Sequence, residues 1–471
     1  MKPSNLSRRS TQQLTGKTNA IAKATADAWK DIYSADQNPN GVINLGVAEN
    51  SLMQDVMVKR LKGKFSRLEP QLLNYQSLGG SRPFKEAMCR ILNQYFNTAL
   101  PVAPEHILCA SGVTAAISQL MYVICDEGEG VLISKPYYSG FNHLIKQGVH
   151  LLGFDIENPL DSGSVSNSLN KAYQDYKGQP HKITSVILCN PHNPMGYYVQ
   201  EEVLAAYMGF CEAHDLHLVV DEIYALSVFE EGPPSVDEDG LKAAPSKFTS
   251  ALSLDHHRFC FDPSRLHVLY GISKDFGCCG LRAGVLISQH NPDLLKLIID
   301  LNLNHVQVSS LSEFCFSQVI LNTQNDQHPE FLDSYVLENK KRLLNAHQRV
   351  VEKLKSLGIS HNTPANAGFF LMIDMSKYLS GASNPINKEE GSDKEGSQAE
   401  EEKLLTRLLK EYKIYISPGS AYNYPKPGFF RLTFAVPPDQ LDLGLQRLAR
   451  FIRDFEGIPP IADLSISRRK N

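Results

Sequence analysis

Residues 270–284 read Y-G-I-S-K-D-F-G-C-C-G-L-R-A-G, and the interpretation of the chain turns on them. The stretch closes an apolar, strand-like run (Leu266, Val268, Leu269, Tyr270) and then sets Lys274 and Arg282 among four glycines. Gly277 and Gly280 lie between the two cations. That spacing is too rich in glycine for a regular helix and suits backbone folded tightly around a small anion. A lysine just past a strand end is where an α/β protein places an amine that must reach a buried ligand. Alone, the stretch has two readings. One is a surface lysine followed by a flexible turn. The other makes Lys274 the Schiff-base partner of pyridoxal phosphate, with Arg282 on its phosphate.

The totals narrow the field. With 471 residues, 42% hydrophobic and 21% charged, the chain has enough apolar material for a large core and two domains. A formal net charge of −4 makes no electrostatic case for nucleic acid or an anionic membrane. The nine cysteines form no CxxC pair and no metal-ligand spacing, so no metal is expected. Several sit in apolar runs, as free thiols in a reducing compartment do, and the expected location is cytoplasmic. The adjacent Cys278 and Cys279 read as small loop filler, with redox sensitivity as the alternative. No apolar run approaches the ~20 residues of a membrane span, and no secretory signal opens the chain. The first 26 residues carry Lys2, Arg8, Arg9, Lys17 and Lys23 and no acid. They read as a disordered arm, with mitochondrial import as the lesser alternative.

Taken in order, the chain alternates. The pattern predicts helices over 20–32 and 52–63, separated by an extended segment, 41–50, that presents Glu49. A loop at 74–80 leads to a helix over 83–96. A strand at 106–109 runs into S-G-V-T-A-A (111–116) and an apolar helix to residue 124. That junction is a ready anion site, because the first helical N–H groups lack internal partners. Strand 130–134 ends in K-P-Y-Y-S-G, whose paired tyrosines suit an aromatic ligand or simply the core. A further strand is expected at 151–154. Strand 184–189 ends in N-P-H-N-P-M-G, a loop stiffened by two prolines that aims Asn193. Helix 201–214 leads to strand 216–220, which ends in Asp221-Glu222-Ile223-Tyr224. An acid closing an apolar strand needs a partner.

Strands alternating with helices, with polar groups at successive strand ends, predict an α/β fold with a mostly parallel sheet covered on both faces. Beyond 284–288 the chain turns helical, notably over 328–357, before a strand at 368–374. Residues 381–402 are low in complexity and read as a mobile excursion. A helix at 402–412, a loop at 417–420, the run F-F-R-L-T-F-A (429–435) and a helix over 438–455 complete the chain. Arg431 interrupts alternating apolar residues, so its guanidinium calls for a buried or cleft-facing anion. No internal repeat is present.

With S-G-V-T-A-A, P-Y-Y-S-G, N-P-H-N-P-M-G, V-D-E-I-Y, S-K-D-F-G-x-x-G-L-R-A-G and P-G-F-F-R-L-T-F-A in this order, the chain resembles the class I/II pyridoxal-phosphate aminotransferases of fold type I. Within them it is most similar to the 1-aminocyclopropane-1-carboxylate (ACC) synthase-like branch, through L-G-V-A-E-N and S-K-D-F-G-C-C-G-L-R. The resemblance runs from about residue 43 to the final helix. It implies a large cofactor domain over 65–320 and a smaller α/β domain built from 27–64 and 321–471, with 1–26 as an arm and 381–402 as an insert. It also implies a homodimer with shared active sites.

The implied roles are specific. Lys274 would carry pyridoxal 5'-phosphate as a Schiff base and move the substrate Cα proton. Asp221 would pair with the pyridine nitrogen, Asn193 and Tyr224 with the phenolic oxygen, and Tyr138 would stack on the ring. Val113, Thr114, Ser273 and Arg282 would surround the phosphate, joined by Tyr75 of the second subunit. Arg431 and Asn193 would take the substrate α-carboxylate side, and Glu49 would lie near the amine and leaving group. Two departures stand out. Gly271 occupies the position three before the lysine where the family commonly has a phosphate-binding serine. The segment F-N-H-L-I-K-Q-G after the tyrosines lacks the arginine-rich run of plant ACC synthases. The implied activity is an ACC synthase-like or aminotransferase reaction on an α-amino acid, with C–S β-elimination from cysteine S-conjugates as the alternative. A purely non-catalytic binding role fits less well, since Lys274, Asp221, Arg282 and Arg431 are all present.

Overall fold

Seven strands from the middle of the chain form one sheet: β1 (Ile107–Ala110), β2 (Gly130–Lys135), β3 (His150–Asp155), β4 (Ile183–Cys189), β5 (His217–Asp221), β6 (Leu266–Gly271) and β7 (Gly284–Ile287). The computed structural model describes residues 20–63, 68–177, 182–230, 234–236, 242–245, 247–301, 307–321, 331–379 and 394–458. The strand order is β1-β7-β6-β5-β4-β2-β3. Only β7 runs against its neighbours, pairing antiparallel with both β1 and β6. The other pairings, β2 with β3 and β4, β4 with β5, and β5 with β6, are parallel.

The apolar runs explain this layering. All seven residues of β4 are buried, which requires cover on both faces of the sheet. Alternate residues divide between the two sides. Val131, Ile133, Ile187, Val219 and Leu269 pack with Ile117, Leu120 and Met121 of the helix Val113–Ile124 and with Leu294 and Ile298 of the helix Pro292–Asp300. Leu132, Val186, Leu188, Val220 and Val268 face the helices Arg82–Tyr95, Ser162–Tyr176, Glu201–Ala213 and Ser310–Leu321.

A second core gathers the chain's two ends. Strand Ile43–Asn44 pairs in parallel with Ile414–Tyr415. Phe370–Asp374, Phe429–Thr433 and Ser417–Pro418 form an antiparallel sheet with Phe429–Thr433 in the middle. The helices Phe331–Ser356, Lys394–Glu411 and Pro438–Glu456 cover them through residues such as Leu343, Leu408 and Leu448. Ile223, Tyr224 and Phe229, from the turn that follows β5, belong to this second core. The main sheet therefore plugs its central turn into the smaller unit.

Several sequence expectations need correction. Helix Ala20–Lys30 begins inside the stretch assigned to a disordered arm, while residues 1–19 lie outside the described residues. Helix Lys394–Glu411 begins eight residues before the expected start at 402. Its Glu401 is buried, and the carboxylate accepts the N–H groups of Gly428 at 2.7 Å and Ser420 at 3.2 Å. Those contacts tie down a segment whose composition alone suggested an excursion, and the rest of that insert, 381–393, lies outside the described residues. The helix Ser162–Tyr176 and the short strands Pro234–Val236 and Lys242–Pro245 were not anticipated.

One close approach holds β7 against the start of the helix Val113–Ile124. A Cβ on Gly284 would lie 2.6 Å from the Val113 nitrogen and 2.7 Å from the Gly112 carbonyl carbon. Gly284→Ala must therefore push strand and helix start apart. We expect it to cost about 1–3 kcal/mol, as overpacking does, read as a lower midpoint in urea denaturation with an unchanged slope.

Candidate active site

Several strands deliver polar groups at the same edge of the sheet, because the carboxyl ends of parallel strands lie together. After β1 comes the helix Val113–Ile124, capped by Gly112 without a side-chain hydrogen bond. After β2 comes Tyr138, after β4 Asn193, at the end of β5 Asp221, and after β6 Ser273 and Lys274. Reversal of β7 brings its starting end to this edge too, which is how Arg282 joins them.

These groups line one cleft. Val113, Thr114, Tyr138, Asn193, Asp221, Tyr224, Ser273, Lys274 and Arg282 are all in its lining. The first N–H groups of the helix have no partner within it, and no acid occupies its first turn. The Arg282 guanidinium is held by the carbonyls of Cys279 at 2.9 Å and Ser111 at 3.2 Å. Together these place a guanidinium beside N–H groups that have no helical partner.

The amine and the acid are shaped by burial. Lys274 Nζ donates to the Ala48 carbonyl at 2.6 Å. Burial brings its pKa down to about 8, helped by the Arg431 charge and opposed by Cys279, Glu49 and Asp221. Asp221 is raised to about 7 by burial, although its Oδ1 accepts the Ile223 N–H at 3.2 Å and Lys274 pulls the other way. Burial likewise keeps the Tyr224 phenol protonated far above its ordinary range.

Arg431 reaches the same group from the smaller sheet. Its Nη1 donates to Asn193 Oδ1 at 2.9 Å and its Nη2 to the Gly46 carbonyl at 2.7 Å, while Nε is buried without a partner. Its guanidinium lies 4.7 Å from the Tyr422 ring centroid and 5.0 Å from that of Phe370. Asn193 in turn donates through Nδ2 to the Tyr224 hydroxyl at 3.4 Å. Glu49 is exposed at the rim, where its Oε1 accepts the Cys279 thiol at 3.3 Å. Tyr75 is not part of this cleft and is fully exposed on the single chain.

Some neighbours escaped the sequence reading. Cys279 lines the cleft, whereas Cys278 is buried against the Phe276 carbonyl. His143 also lines it, with Nε2 2.6 Å from Ser118 Oγ and Nδ1 against the Gly140 carbonyl. No spacing in F-N-H-L-I-K-Q-G marks that histidine, because its partners come from a distant helix and a preceding turn. The structure also accounts for Gly271. A Cβ there would sit 3.0 Å from both the Ala283 oxygen and the Gly284 Cα, so a serine would need this backbone to give by a few tenths of an ångström.

Comparison with known proteins identifies the family. The family model "Aminotransferase class I and II" matches residues 40–448, and the chain belongs to that family. Within it, the chain falls in the ACC synthase-like branch. It is 34% identical over 446 residues to 1-aminocyclopropane-1-carboxylate synthase-like protein 1 of Bos taurus, covering 92% of this chain and 80% of that one. It is also 29% identical to the Homo sapiens protein named probable inactive 1-aminocyclopropane-1-carboxylate synthase-like protein 2, over 90% of this chain and 70% of that one. Among solved structures, a Thermus thermophilus aspartate aminotransferase mutant superimposes with a TM-score of 0.69 at 18% identity, covering 95% of this chain and 99% of that one. Its likeness shows the fold, that of the fold type I aminotransferases.

Burial of acids at this edge has a consequence for stability. Asp221 and Asp275 are raised to about 7, and Glu222 to about 8, in each case chiefly by burial. The folded chain keeps protons there that the unfolded chain releases above about pH 4. Their contribution is therefore full below that pH and is lost as pH rises through 7 to 8. We expect the ligand-free protein to lose urea stability between about pH 4 and pH 8, and Asp221→Asn to reduce that total loss by at least about 1 kcal/mol.

Proposed function

We propose that this protein is a pyridoxal-phosphate enzyme that removes the Cα proton of an α-amino acid, in an ACC synthase-like or aminotransferase reaction. The observation that carries the reading is a half-buried lysine amine, brought down to about 8, lining one cleft with a protonatable acid, while a buried arginine is hydrogen-bonded to Asn193 of the same lining. An amine so lowered supplies its neutral, nucleophilic form near neutral pH.

The donors present suit the cofactor. Val113, Thr114, Ser273 and Arg282 offer a phosphate site at a helix start. Asp221 is buried, and among the described residues no ion pair neutralises it, so a cationic ring nitrogen is a fitting partner. Asn193 and Tyr224 offer donors for a phenolic oxygen, and the Tyr138 ring offers a face. When bound, pyridoxal phosphate supplies the electron sink that makes a Cα–H bond acidic.

The chain's own residues do the rest. Arg431, held between two rings, takes the substrate carboxylate and fixes which Cα bond is presented for cleavage. Lys274 Nζ accepts and returns the Cα proton. Asp221, once facing a cation, holds its negative charge and keeps that cation protonated. Glu49 lies at the rim beside the amine and the departing group. Tyr75 reaches the phosphate of a second copy's site, a homodimer that its complete exposure on the single chain supports.

Lys274→Ala is expected to abolish the visible absorbance of bound cofactor and to cut turnover by at least about a thousandfold. Survival of turnover in that variant sinks the proposal. With the parent protein, bleaching of the band by an amino acid and its recovery with a 2-oxo acid marks transamination, whereas ACC release from an α-amino acid marks the synthase-like course. Steady production of pyruvate and thiol from S-substituted cysteines, with neither of these, counts against both. Arg431→Ala should raise KM for the amino acid about a hundredfold or more while leaving cofactor affinity within about threefold. A matching loss of cofactor binding would remove Arg431 from the substrate side.

A further inference from the structure

Asp275 follows Lys274 directly, and the proposed chemistry makes no use of it. Its side chain is 1% exposed. Oδ1 accepts the Ser227 hydroxyl at 2.6 Å, and Oδ2 accepts the Leu226 N–H at 2.9 Å and the Tyr270 hydroxyl at 3.0 Å. Its backbone carbonyl takes the Tyr335 hydroxyl at 3.3 Å from the helix Phe331–Ser356. Tyr270 lies on the strand that leads into the lysine turn. Leu226 and Ser227 lie on the turn after β5, which carries Asp221 and Tyr224.

The ties continue outward from there. The Ser227 carbonyl accepts the Gly368 N–H at 3.0 Å, and Val228 bridges to Ala367, just before the strand that pairs with the Arg431 strand. Tyr224 is linked through Asn193 to Arg431 itself. One carboxylate thus joins the lysine turn to the elements that bear the other buried groups. Merely filling this space would be cheaper with an apolar side chain, because a buried carboxylate is costly even when hydrogen-bonded.

We propose that Asp275 is a positioning residue, fixing Lys274 Nζ against Asp221 and Tyr224 by clamping the lysine turn to the turn after β5. The inference rests on the role given to Lys274 above. Without the clamp, the turn slackens and the amine gains water. Arg431, Cys279, Glu49 and Asp221 are the charged and titratable groups that face this amine, and all four act on it only while it stays in place.

The test uses the full ligand-free chain, with acetylation of Lys274 by acetic anhydride followed across pH by peptide mass spectrometry. The parent should show a midpoint near 8, and Asp275→Asn a midpoint raised by about one unit or more, a tenfold change in amine protonation. Ser227→Ala and Tyr270→Phe, which each delete one donor and keep the acid, should shift it in the same direction by less, and they carry the test if Asp275→Asn does not fold. Glu313→Gln is the control, since that buried carboxylate accepts the Ser81 N–H at 3.0 Å and does not line the cleft. It should lower the melting temperature and leave the midpoint unmoved. A loss of melting temperature in the Asp275, Ser227 and Tyr270 variants with no change of midpoint overturns the positioning role. A parent midpoint at the ordinary lysine value, near 10.4, instead overturns the reading of Lys274 on which the inference stands.

Discussion

Asp221 and Arg431 are buried and Lys274 is half-buried beside one cleft, and among the described residues none has an oppositely charged partner within ion-pair distance. Burial without pairing is the constraint on which the site depends, because it penalises each charged form. The lysine and the aspartic acid respond by moving towards neutrality, to about 8 and about 7. Arg431 cannot respond that way, so carbonyl oxygens and two aromatic faces hold its charge. The arrangement leaves unmet demand for an anion at the guanidinium and for a cation at the acid.

The sheet makes such an arrangement possible. Parallel strands send their carboxyl ends to one edge, so residues spread from 113 to 274 in the sequence converge there. Reversal of β7 adds Arg282 at that edge and presses Gly284 against the helix start. The turn after β5 then plugs Ile223 and Tyr224 into the second core, coupling the main sheet to the smaller one that carries Arg431. The cleft is lined by residues of the main sheet's connections, and Arg431 reaches its Asn193 from the smaller unit.

Much of the fold was legible because buried parallel strands are continuous apolar runs bounded by turn residues. The runs at 130–134, 184–189 and 216–220 fall within a residue or two of the observed β2, β4 and β5. Helix Ser162–Tyr176 was missed because six of its first seven residues are serine, glycine or asparagine, which favour turns. Its buried Val165, Leu169 and Ala172 nevertheless carry the helical spacing, and Asp161 caps it by accepting the Ser164 N–H at 2.6 Å. The start of helix Lys394–Glu411 was missed for another reason. Composition cannot show that Glu401 will find two backbone N–H groups 19 and 27 residues further on.

The sequence by itself determined the strand-and-helix alternation, the family and the identity of the polar groups at strand ends. Each of these is local: an apolar run, a glycine-rich turn or an acid closing a strand is readable within about ten residues. Tertiary structure alone decided what those groups feel. The desolvation of Lys274 and Asp221, the ring faces around Arg431, the thiol against Glu49, the close backbone beside Gly271 and the three donors on Asp275 all arise from segments far apart in the chain. Desolvation and packing depend on what arrives from elsewhere, and no window of sequence contains that.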